Sequence, residues 1–269
     1  MLWFCAYKGE NIMQIKSRIE SRSNPKVIWA RGLSERKNRQ KEGLFRFEGI
    51  KLFSEALREK LDIVCVFATE KALALYDGVF ASFDGEIYEV SDSVYEKLTD
   101  ENAPQGVLTV AKMSSPAMKS TGLTILLDGV ADPGNVGTVI RCADAFGAER
   151  VILGDGSADA FGQKTVRAAM GSLFRVPTER ASLAETIEVL KNGGYGVYAA
   201  MLDRSSVRID EIGKGGKLAF VVGNEGHGIS ADVRAACTGS VIIPMREDGA
   251  ESLNAAVAAS VIMWEHKRF

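Results

Sequence analysis

The sequence has little of what secreted, membrane-spanning or zinc-binding proteins require. Its four cysteines lie 60, 77 and 95 residues apart, and it has only two histidines, so neither a disulfide framework nor a zinc cluster is expected. No apolar run approaches the roughly 20 residues that cross a bilayer. The apolar patch at residues 2–7 is too short for a signal peptide. We therefore expect a reduced, cytoplasmic protein that needs no metal; Met1 and Met13 are both candidate starts.

The length and composition are those of a folded protein with about two domains. The chain has 269 residues, of which 46% are hydrophobic and 25% are charged, and domains average roughly 150 residues. A disordered chain would have few apolar residues and a large net charge, whereas the net charge here is −2.

The charges are unevenly distributed along the chain. Residues 16–46 carry ten Lys or Arg against three Glu. Such a stretch is typical either of a surface that contacts a polyanion such as structured RNA or of solvated helix faces, and the sequence leaves both open. If RNA binds there, we expect Arg36, Lys37 and Arg39 to contribute affinity through phosphate contacts.

A segment rich in Ser, Lys and Pro divides the chain into two regions. Residues 113–121 have no apolar period and indicate a linker. Before it, residues 13–112 combine short strand and helix patterns, which predict a small α/β domain. One of its helices is expected to begin at Asn24-Pro25 and to continue into the basic stretch.

The region after the linker alternates strands and helices more regularly. In residues 122–269 this alternation, which includes a predicted helix over 164–173, predicts a mainly parallel sheet with helices on both faces. Ligands of such sheets bind at the carboxyl ends of the strands. The loops after Leu127, Val222 and Ile243 are therefore the candidate site.

The first of these loops leads into a helix. Gly134 and Gly137 would allow a ligand close to the backbone, and the free N–H groups of a helix start suit an anion such as phosphate. Arg141 follows Gly137 by about one helical turn, and its guanidinium can hold a phosphate bidentately. A plain turn with a surface arginine is the alternative.

The other two loops are also unusual in composition. Residues 223–228 place Asn and Glu side chains in a glycine-rich turn, and residues 226–231 formally match a dinucleotide fingerprint. Only about 40 residues follow, too few for the βαβ units of such a site. In the third loop, Ser252 or Asn254 could simply cap the last helix, and small residues at 255–260 permit close helix packing.

Here the sequence resembles a known family. Three segments are similar, in order and spacing, to the three motifs of the SpoU-type, or TrmH-like, RNA ribose 2′-O-methyltransferases of the SPOUT superfamily: LLDGVADPGNVGTVIRCADAFGAERVIL (126–153), FVVGNEGHGIS (220–230) and IIPMREDGAESLNAAVAASVIMWE (242–265). The segment at 164–177 also resembles this family. Residues 36–57 resemble the L30e-like substrate-binding domain that often precedes it.

The resemblance implies a fold, a cofactor and a partner. It implies an α/β sheet whose C-terminal part forms a trefoil knot, with S-adenosylmethionine bound in the knot. It also implies a homodimer whose interface includes the final helix. The residues matching the cofactor contacts are Gly223, Ile243, Met245 and Leu253. The residues matching the reaction centre are Asn135, Arg141, Glu225, Ser252 and Asn254.

The residue types suit methylation of a ribose 2′-hydroxyl. That hydroxyl is a weak acid that must be aligned and deprotonated, and alignment by itself contributes several kcal/mol. A guanidinium is a poor base because its pKa lies above about 12, so we expect Arg141 to clamp a phosphate or alkoxide. A non-catalytic RNA-binding protein and a nucleotide-dependent oxidoreductase are the alternatives. Neither the choice between ribosomal and transfer RNA nor the target nucleotide can be predicted from the sequence.

Overall fold

The computed structural model describes residues 15–118, 121–203, 205–246, 248–249 and 251–267. The chain forms two compact units, Met1–Lys112 and Met113–Phe269. No helix in the described part of the chain is long and apolar enough to cross a membrane.

The first unit, the small domain, is a mixed sheet with helices. Its elements are β1 (Ile15–Ile19), α1 (Pro25–Gly32), α2 (Arg36–Glu42), β2 (Leu44–Glu48), α3 (Ile50–Arg58), β3 (Ile63–Thr69), α4 (Glu70–Leu75), α5 (Asp77–Phe80), β4 (Glu86–Val90), α6 (Asp92–Leu98) and β5 (Val107–Lys112). The five strands lie in the order β1-β4-β3-β5-β2. β4 pairs parallel with β1 and β3, while β5 pairs antiparallel with β2 and β3.

The predicted helix at Asn24-Pro25 begins as expected but ends early. The Asn24 side chain accepts a hydrogen bond from Lys26 N at 2.9 Å, with Pro25 in the first helical position. Helix α1 then stops at Gly32, and a separate helix, α2, carries the basic residues from Arg36 onward. The predicted continuation into the basic stretch is therefore wrong, because a turn at 33–35 redirects the chain.

The basic stretch is also less exposed than its composition indicates. Arg39 is 5% exposed and donates to Leu33 O at 2.9 Å, and Arg46 is 1% exposed and donates to Leu98 O at 2.6 Å. Burial lowers the pKa of the Arg46 guanidinium, while the nearby Asp100 carboxylate opposes that shift. The expectation that Arg39 contacts RNA is thus wrong, because its guanidinium is used inside the fold.

Seven of the ten cations of the basic stretch are exposed, and three of these seven lie on α2. Arg36, Lys37 and Lys41 are exposed on α2, and they have no hydrogen-bond or ion-pair partner among the described residues. We call these three side chains the basic surface. The buried arginines cannot contact a polyanion, but these three side chains can, so that prediction stays a prediction for the basic surface.

The second unit, the large domain, is built around a parallel sheet. Its first elements are β6 (Leu123–Asp128), α7 (Pro133–Phe146), β7 (Arg150–Leu153), α8 (Gln163–Ala169), β8 (Thr178–Arg180), α9 (Leu183–Asn192) and β9 (Gly196–Ala200). They are followed by β10 (Val207–Arg208), β11 (Leu218–Gly223), α10 (Ala231–Ala236), β12 (Gly239–Ile242) and α11 (Ala255–Glu265). The strand order is β10-β12-β9-β11-β6-β7-β8, and every pairing is parallel. The predicted α/β class with a mainly parallel sheet is confirmed.

The helix predicted over 164–173 is interrupted. Helix α8 ends at Ala169, because Met170 and Gly171 both adopt positive φ angles, 51° and 90°. A short 3-10 turn at Ser172–Phe174 follows. Gly171 is the sequence signal for this break, because glycine is a poor helix former and favours positive φ, whereas Met170 is a good helix former in isolation.

Candidate active site

The loops after β6 and β11 are held together by side chains at the carboxyl edge of the sheet. Strands β6 and β11 are neighbours, with Asp128 beside Gly223 in register. The Asp128 carboxylate accepts hydrogen bonds from Ser230 N at 2.7 Å and from the Ser230 hydroxyl at 2.8 Å. The Asn224 amide donates to Gly129 O at 2.9 Å. These hydrogen bonds join the two loops into one rim of the candidate site.

Two glycines of the second loop, Gly223 and Gly228, are needed for its own turn. Asn224 and Gly228 exchange backbone hydrogen bonds of 3.1 and 2.8 Å, and the Asn224 Oδ1 accepts from Gly226 N and His227 N. A Cβ at Gly223 would lie 2.4 Å from the Gly228 carbonyl. Gly228 has a φ of +69°, which favours glycine, so this glycine of the formal dinucleotide match at 226–231 has a local cause. The match does not favour the oxidoreductase alternative, because too few residues follow it for such a site.

Three side chains from three loops meet at this rim. The Asn135 amide donates to Glu225 Oε1 at 2.5 Å, and the Asn254 amide donates to the same oxygen at 3.4 Å and to Asn135 Oδ1 at 3.1 Å. Asn254 also caps α11, accepting from Ala256 N at 3.0 Å and Val257 N at 3.3 Å. We call Asn135, Glu225 and Asn254 the amide–carboxylate network. The structure thus brings together three of the five residues expected at the reaction centre.

A cavity of about 460 Å³ lies between the second and third loops. The four residues expected to contact the cofactor all line it: Gly223, Ile243, Met245 and Leu253. Glu225 and Ser252 line it as well, while Asn135, Arg141 and Asn254 do not. Ser252 is exposed there, and the cap of α11 is supplied by Asn254 alone. The volume is that of a small-molecule site.

Arg141 lies on α7, outside both the network and the cavity lining. Its side chain is exposed and has no hydrogen-bond or ion-pair partner within the described ranges. The structure therefore leaves the guanidinium available to a substrate but does not join it to Asn135 or Glu225.

The two glycines at the start of α7 serve the packing and capping of that helix. The sequence had predicted instead that they admit an anion. A Cβ at Gly137 would lie 2.5 Å from the Ala168 Cβ of α8, so Gly137 allows the two helices to pack closely. A Cβ at Gly134 would lie 2.9 Å from Asp132 Oδ1, and that carboxylate caps the helix by accepting from Asn135 N at 2.8 Å. A phosphate at this helix start would meet the Asp132 charge, so the expected anion site there is wrong.

Two residues behind the first loop were missed from the sequence. The Ser157 hydroxyl donates to Leu127 O at 2.9 Å and accepts from Val130 N at 3.1 Å. Arg180 donates to Gly154 O at 2.7 Å and to Ser157 O at 2.5 Å. These bonds fix the loop after β7 against the loop after β6. No sequence signal marks them, because their partners are backbone groups 23 to 30 positions away.

An ion pair at the cavity was also missed. Arg234 lines the cavity and pairs with Asp203. The pKa of the Asp203 carboxyl is lowered, first by the Ser205 backbone N–H, then by the Ser205 hydroxyl, and further by Arg234.

Within the described ranges, no group of three or more His, Cys, Asp or Glu is placed to hold a metal ion.

Such a fold and site define an α/β protein with a small-molecule cavity at the carboxyl edge of its sheet and a polar cluster beside it. Residues 122–264 match the SpoU rRNA methylase family, and residues 24–109 match the MRM3-like substrate-binding domain. The chain belongs to the SpoU rRNA methylase family. The predicted resemblance to SpoU-type enzymes, and with it the prediction of an RNA methyltransferase, is confirmed.

Relatives resemble the chain over almost its whole length. The 23S rRNA (guanosine(2553)-2′-O)-methyltransferase RlmP of Bacillus subtilis is 35% identical over 92% of this chain and 98% of its own. The AdoMet-bound rRNA methyltransferase of Sinorhizobium meliloti is 30% identical, with a TM-score of 0.81 over 93% of this chain and 96% of its own. AviRb of Streptomyces viridochromogenes, a SpoU methyltransferase in complex with AdoMet, is 26% identical, with a TM-score of 0.75 over 90% of this chain and 97% of its own.

Proposed function

We propose that this protein transfers the methyl group of S-adenosylmethionine to a ribose 2′-hydroxyl of ribosomal RNA. The observation that carries the proposal is the cavity at the carboxyl edge with the amide–carboxylate network at its rim. Two near-full-length relatives support the substrate, since one is named for 23S rRNA and one for rRNA. Transfer RNA, the second substrate expected from the sequence, is the alternative outcome of the test below.

The cavity suits the cofactor in size and in lining. Ile243, Met245 and Leu253 give apolar surface for the adenine ring, and Glu225 and Ser252 give polar groups. Pockets of roughly 300–1,000 Å³ with a mostly apolar lining and a few polar groups are typical of such ligands. When bound, S-adenosylmethionine supplies a methyl group that its sulfonium already makes electrophilic.

The residues of the site then orient the ribose 2′-hydroxyl for the transfer. In this proposal the network positions the reactive hydroxyl, because one Glu225 oxygen fixes both amides. Ser252, exposed at the cavity, hydrogen-bonds to the ribose. Arg141 clamps the phosphate or the developing alkoxide, for which its planar donors are suited. Alignment of this kind lowers the barrier by several kcal/mol.

The same proposal assigns roles to the rest of the chain. Residues 13–112 form an L30e-like domain that binds the RNA, 113–121 a linker and 122–269 the methyltransferase domain. We also propose a trefoil knot after β11. Two features of the chain path support it. After β11 the chain passes to β12, which lies on the far side of β9, and it then returns so that α11 packs on α7 and β11.

The assembly and location follow from the same function. We propose a homodimer that includes α11, because Val257, Val261 and Trp264 form an exposed apolar stripe on that helix. The enzyme would act in the cytoplasm, where ribosomal RNA is available to it.

Mapping of 2′-O-methyl groups tests the proposed function. Total RNA from cells with and without the gene should differ at a site in ribosomal RNA. Purified protein with tritiated S-adenosylmethionine should label unmodified ribosomal RNA from the deletion strain and leave transfer RNA unlabelled. Label in transfer RNA alone would show that transfer RNA, and not ribosomal RNA, is the substrate. No label in either RNA would contradict the proposed function.

A further inference from the structure

The small domain contains a cavity of about 460 Å³ that none of these roles uses. It lies where β3 ends and α4 begins, at the point where the Thr69 hydroxyl caps α4 by accepting from Ala72 N at 3.2 Å. Gly106 is part of its wall and has a φ of +75°; a Cβ there would lie 2.4 Å from Thr69 Oγ1. The volume is within the range of small-ligand sites.

Two carboxylates line this cavity from one face of α6. Asp92 and Glu96 are four positions apart, so they lie side by side on the helix. Both are exposed, and the nearest cation of Glu96 is Arg22, at 3.8 Å. Ionised carboxylates accept hydrogen bonds and repel phosphates. The favoured ligand group therefore presents N–H donors rather than negative charge.

Donors and apolar surface complete the lining. Lys71 and Gln105 line the same cavity. Gln105 Oε1 accepts from Ile50 N at 3.1 Å, which leaves its NH₂ group as the donor for a ligand. Leu75 is 63% exposed, and Tyr76 is half-buried against the core of the domain. A flat ring with donors on one edge and an acceptor beside them would satisfy all of these groups.

We propose that the cavity binds an unpaired guanine base of the RNA substrate, an inference that rests on the proposed function. The Watson–Crick edge of guanine places two donors, N1–H and N2–H₂, beside the O6 acceptor. The donors face Asp92 and Glu96, and O6 faces Lys71 or Gln105. Splayed RNA bases are commonly stacked on aromatic side chains and recognised at this edge.

The other three bases fit the carboxylates less well. Adenine and cytosine each put an unprotonated ring nitrogen next to their single amino donor. Uracil places a carbonyl on either side of its N3–H. Each of these acceptors would face a negative charge, and that repulsion gives the cavity its selectivity.

Binding of short RNAs to the full chain tests the inference. The probes are fluorescent oligouridines with guanosine, adenosine, cytidine or uridine at the central position, titrated by anisotropy without methyl donor. We expect the guanosine oligonucleotide to bind about tenfold more tightly than the others. The double variant Asp92→Asn, Glu96→Gln should bind all four equally. Glu70→Gln, which removes an exposed carboxylate outside the lining, should keep the preference.

The ratio of affinities, rather than the affinity, is decisive, because removing negative charge strengthens RNA binding generally. Tyr76→Leu provides a second variant that retains both carboxylates; weaker stacking should lower the affinity for all four oligonucleotides, while the guanosine preference remains. Equal binding of the four oligonucleotides by the wild type, or a guanosine preference that survives in the double variant, would overturn the inference. Methyl transfer and S-adenosylmethionine binding are measured on the same preparations. Failure of transfer with an intact guanosine preference would contradict the proposed function alone.

Discussion

The Asn135 amide donates a hydrogen bond to Glu225 Oε1 at 2.5 Å, although the two residues are 90 positions apart in the sequence. The Asn254 amide donates to the same oxygen at 3.4 Å. One carboxylate oxygen therefore joins the start of α7, the loop after β11 and the start of α11. Because these loops share a single acceptor, displacement of one side chain is expected to disturb the others.

A double-mutant cycle on Asn135 and Glu225 tests this dependence. We expect Asn135→Ala and Glu225→Ala each to lower kcat/KM for RNA methylation, and the double variant to be less impaired than the sum of the two. Groups that share a hydrogen bond show coupling energies of about 0.5–3 kcal/mol. Asn135→Ala combined with Asn192→Ala, an exposed position on α9, should be additive. Additive effects in the Asn135–Glu225 cycle would show that the bond has no role in the reaction.

Arg141→Ala is expected to abolish methyl transfer while leaving S-adenosylmethionine binding nearly intact. The reason is positional, since Arg141 does not line the cofactor cavity and its guanidinium has no partner in the described part of the chain. An interaction used mainly in the transition state affects turnover rather than ground-state binding. Calorimetry with S-adenosylmethionine and tritium transfer to RNA measure the two separately.

Two further variants sharpen the Arg141 test. Arg141→Lys should also lose most activity, because an ammonium cannot replace a planar two-pronged donor. Lys164→Ala removes an exposed cation of α8 and should retain activity. If Arg141→Ala loses cofactor binding instead, the guanidinium belongs to the cofactor site and its proposed role is wrong.

Reversal of the basic surface is expected to weaken RNA binding. Changing Arg36, Lys37 and Lys41 to Glu should lower affinity at low salt by roughly tenfold or more and flatten its salt dependence, because fewer counterions are released. Lys37→Glu alone should reduce the slope of log K against log salt by about 1. Lys60→Glu, a reversal elsewhere in the small domain, is the matched control. Equal slopes for Lys37→Glu and the wild type would mean that this face is only solvated.

Arg46 is expected to matter for stability rather than for RNA. Its guanidinium is 1% exposed and donates to Leu98 O at 2.6 Å and to Asp100 Oδ2 at 2.5 Å. Arg46→Ala removes both bonds and should lower the free energy of unfolding by about 3 kcal/mol. Arg58→Ala breaks two ion pairs of an exposed arginine, with Glu55 and Glu59, and should change the free energy of unfolding by less than about 1 kcal/mol. Urea denaturation of the full chain measures both, and similar midpoints for the two variants would contradict the assignment.

Much of the candidate site could be predicted from the sequence, because parallel strands end at one edge of a sheet. The strand patterns ending at Leu127 and Val222 placed two glycine-rich loops at the same edge, where β6 and β11 are indeed neighbours. The motif resemblance then selected Asn135, Glu225 and Asn254, which the structure brings within hydrogen-bond distance.

What could not be predicted depends on partners that are distant in sequence. A count of charges treats Arg46 as part of a basic surface, yet its partner Leu98 O is 52 positions away. Composition likewise cannot separate a glycine that admits a ligand from one that admits a helix, and Gly137 proved to be the second kind. The break after α8 needs a positive φ at Met170, which the local propensity of methionine opposes.

The apolar stripe on α11 gives the last prediction. Val257, Val261 and Trp264 are 48%, 36% and 55% exposed, and their spacing places them on one face of the helix. If this face is a dimer interface, charge there would be buried without a partner in the dimer. We expect Val257→Glu with Val261→Glu to yield a monomer by sedimentation at micromolar concentration, where the wild type is a dimer.

The matched control is Val189→Glu on α9, a position that is 69% exposed and lies on a different helix, and it should sediment as the wild type does. Trp264 is left unchanged because its ring packs edge-on against Phe146 at 5.7 Å, so its loss would also disturb the α7–α11 contact. A wild-type monomer with full methyl transfer, or a double variant that remains dimeric, would contradict the interface. If the variant is monomeric and still binds S-adenosylmethionine but no longer methylates RNA, the second copy contributes to catalysis rather than to folding of the cofactor cavity.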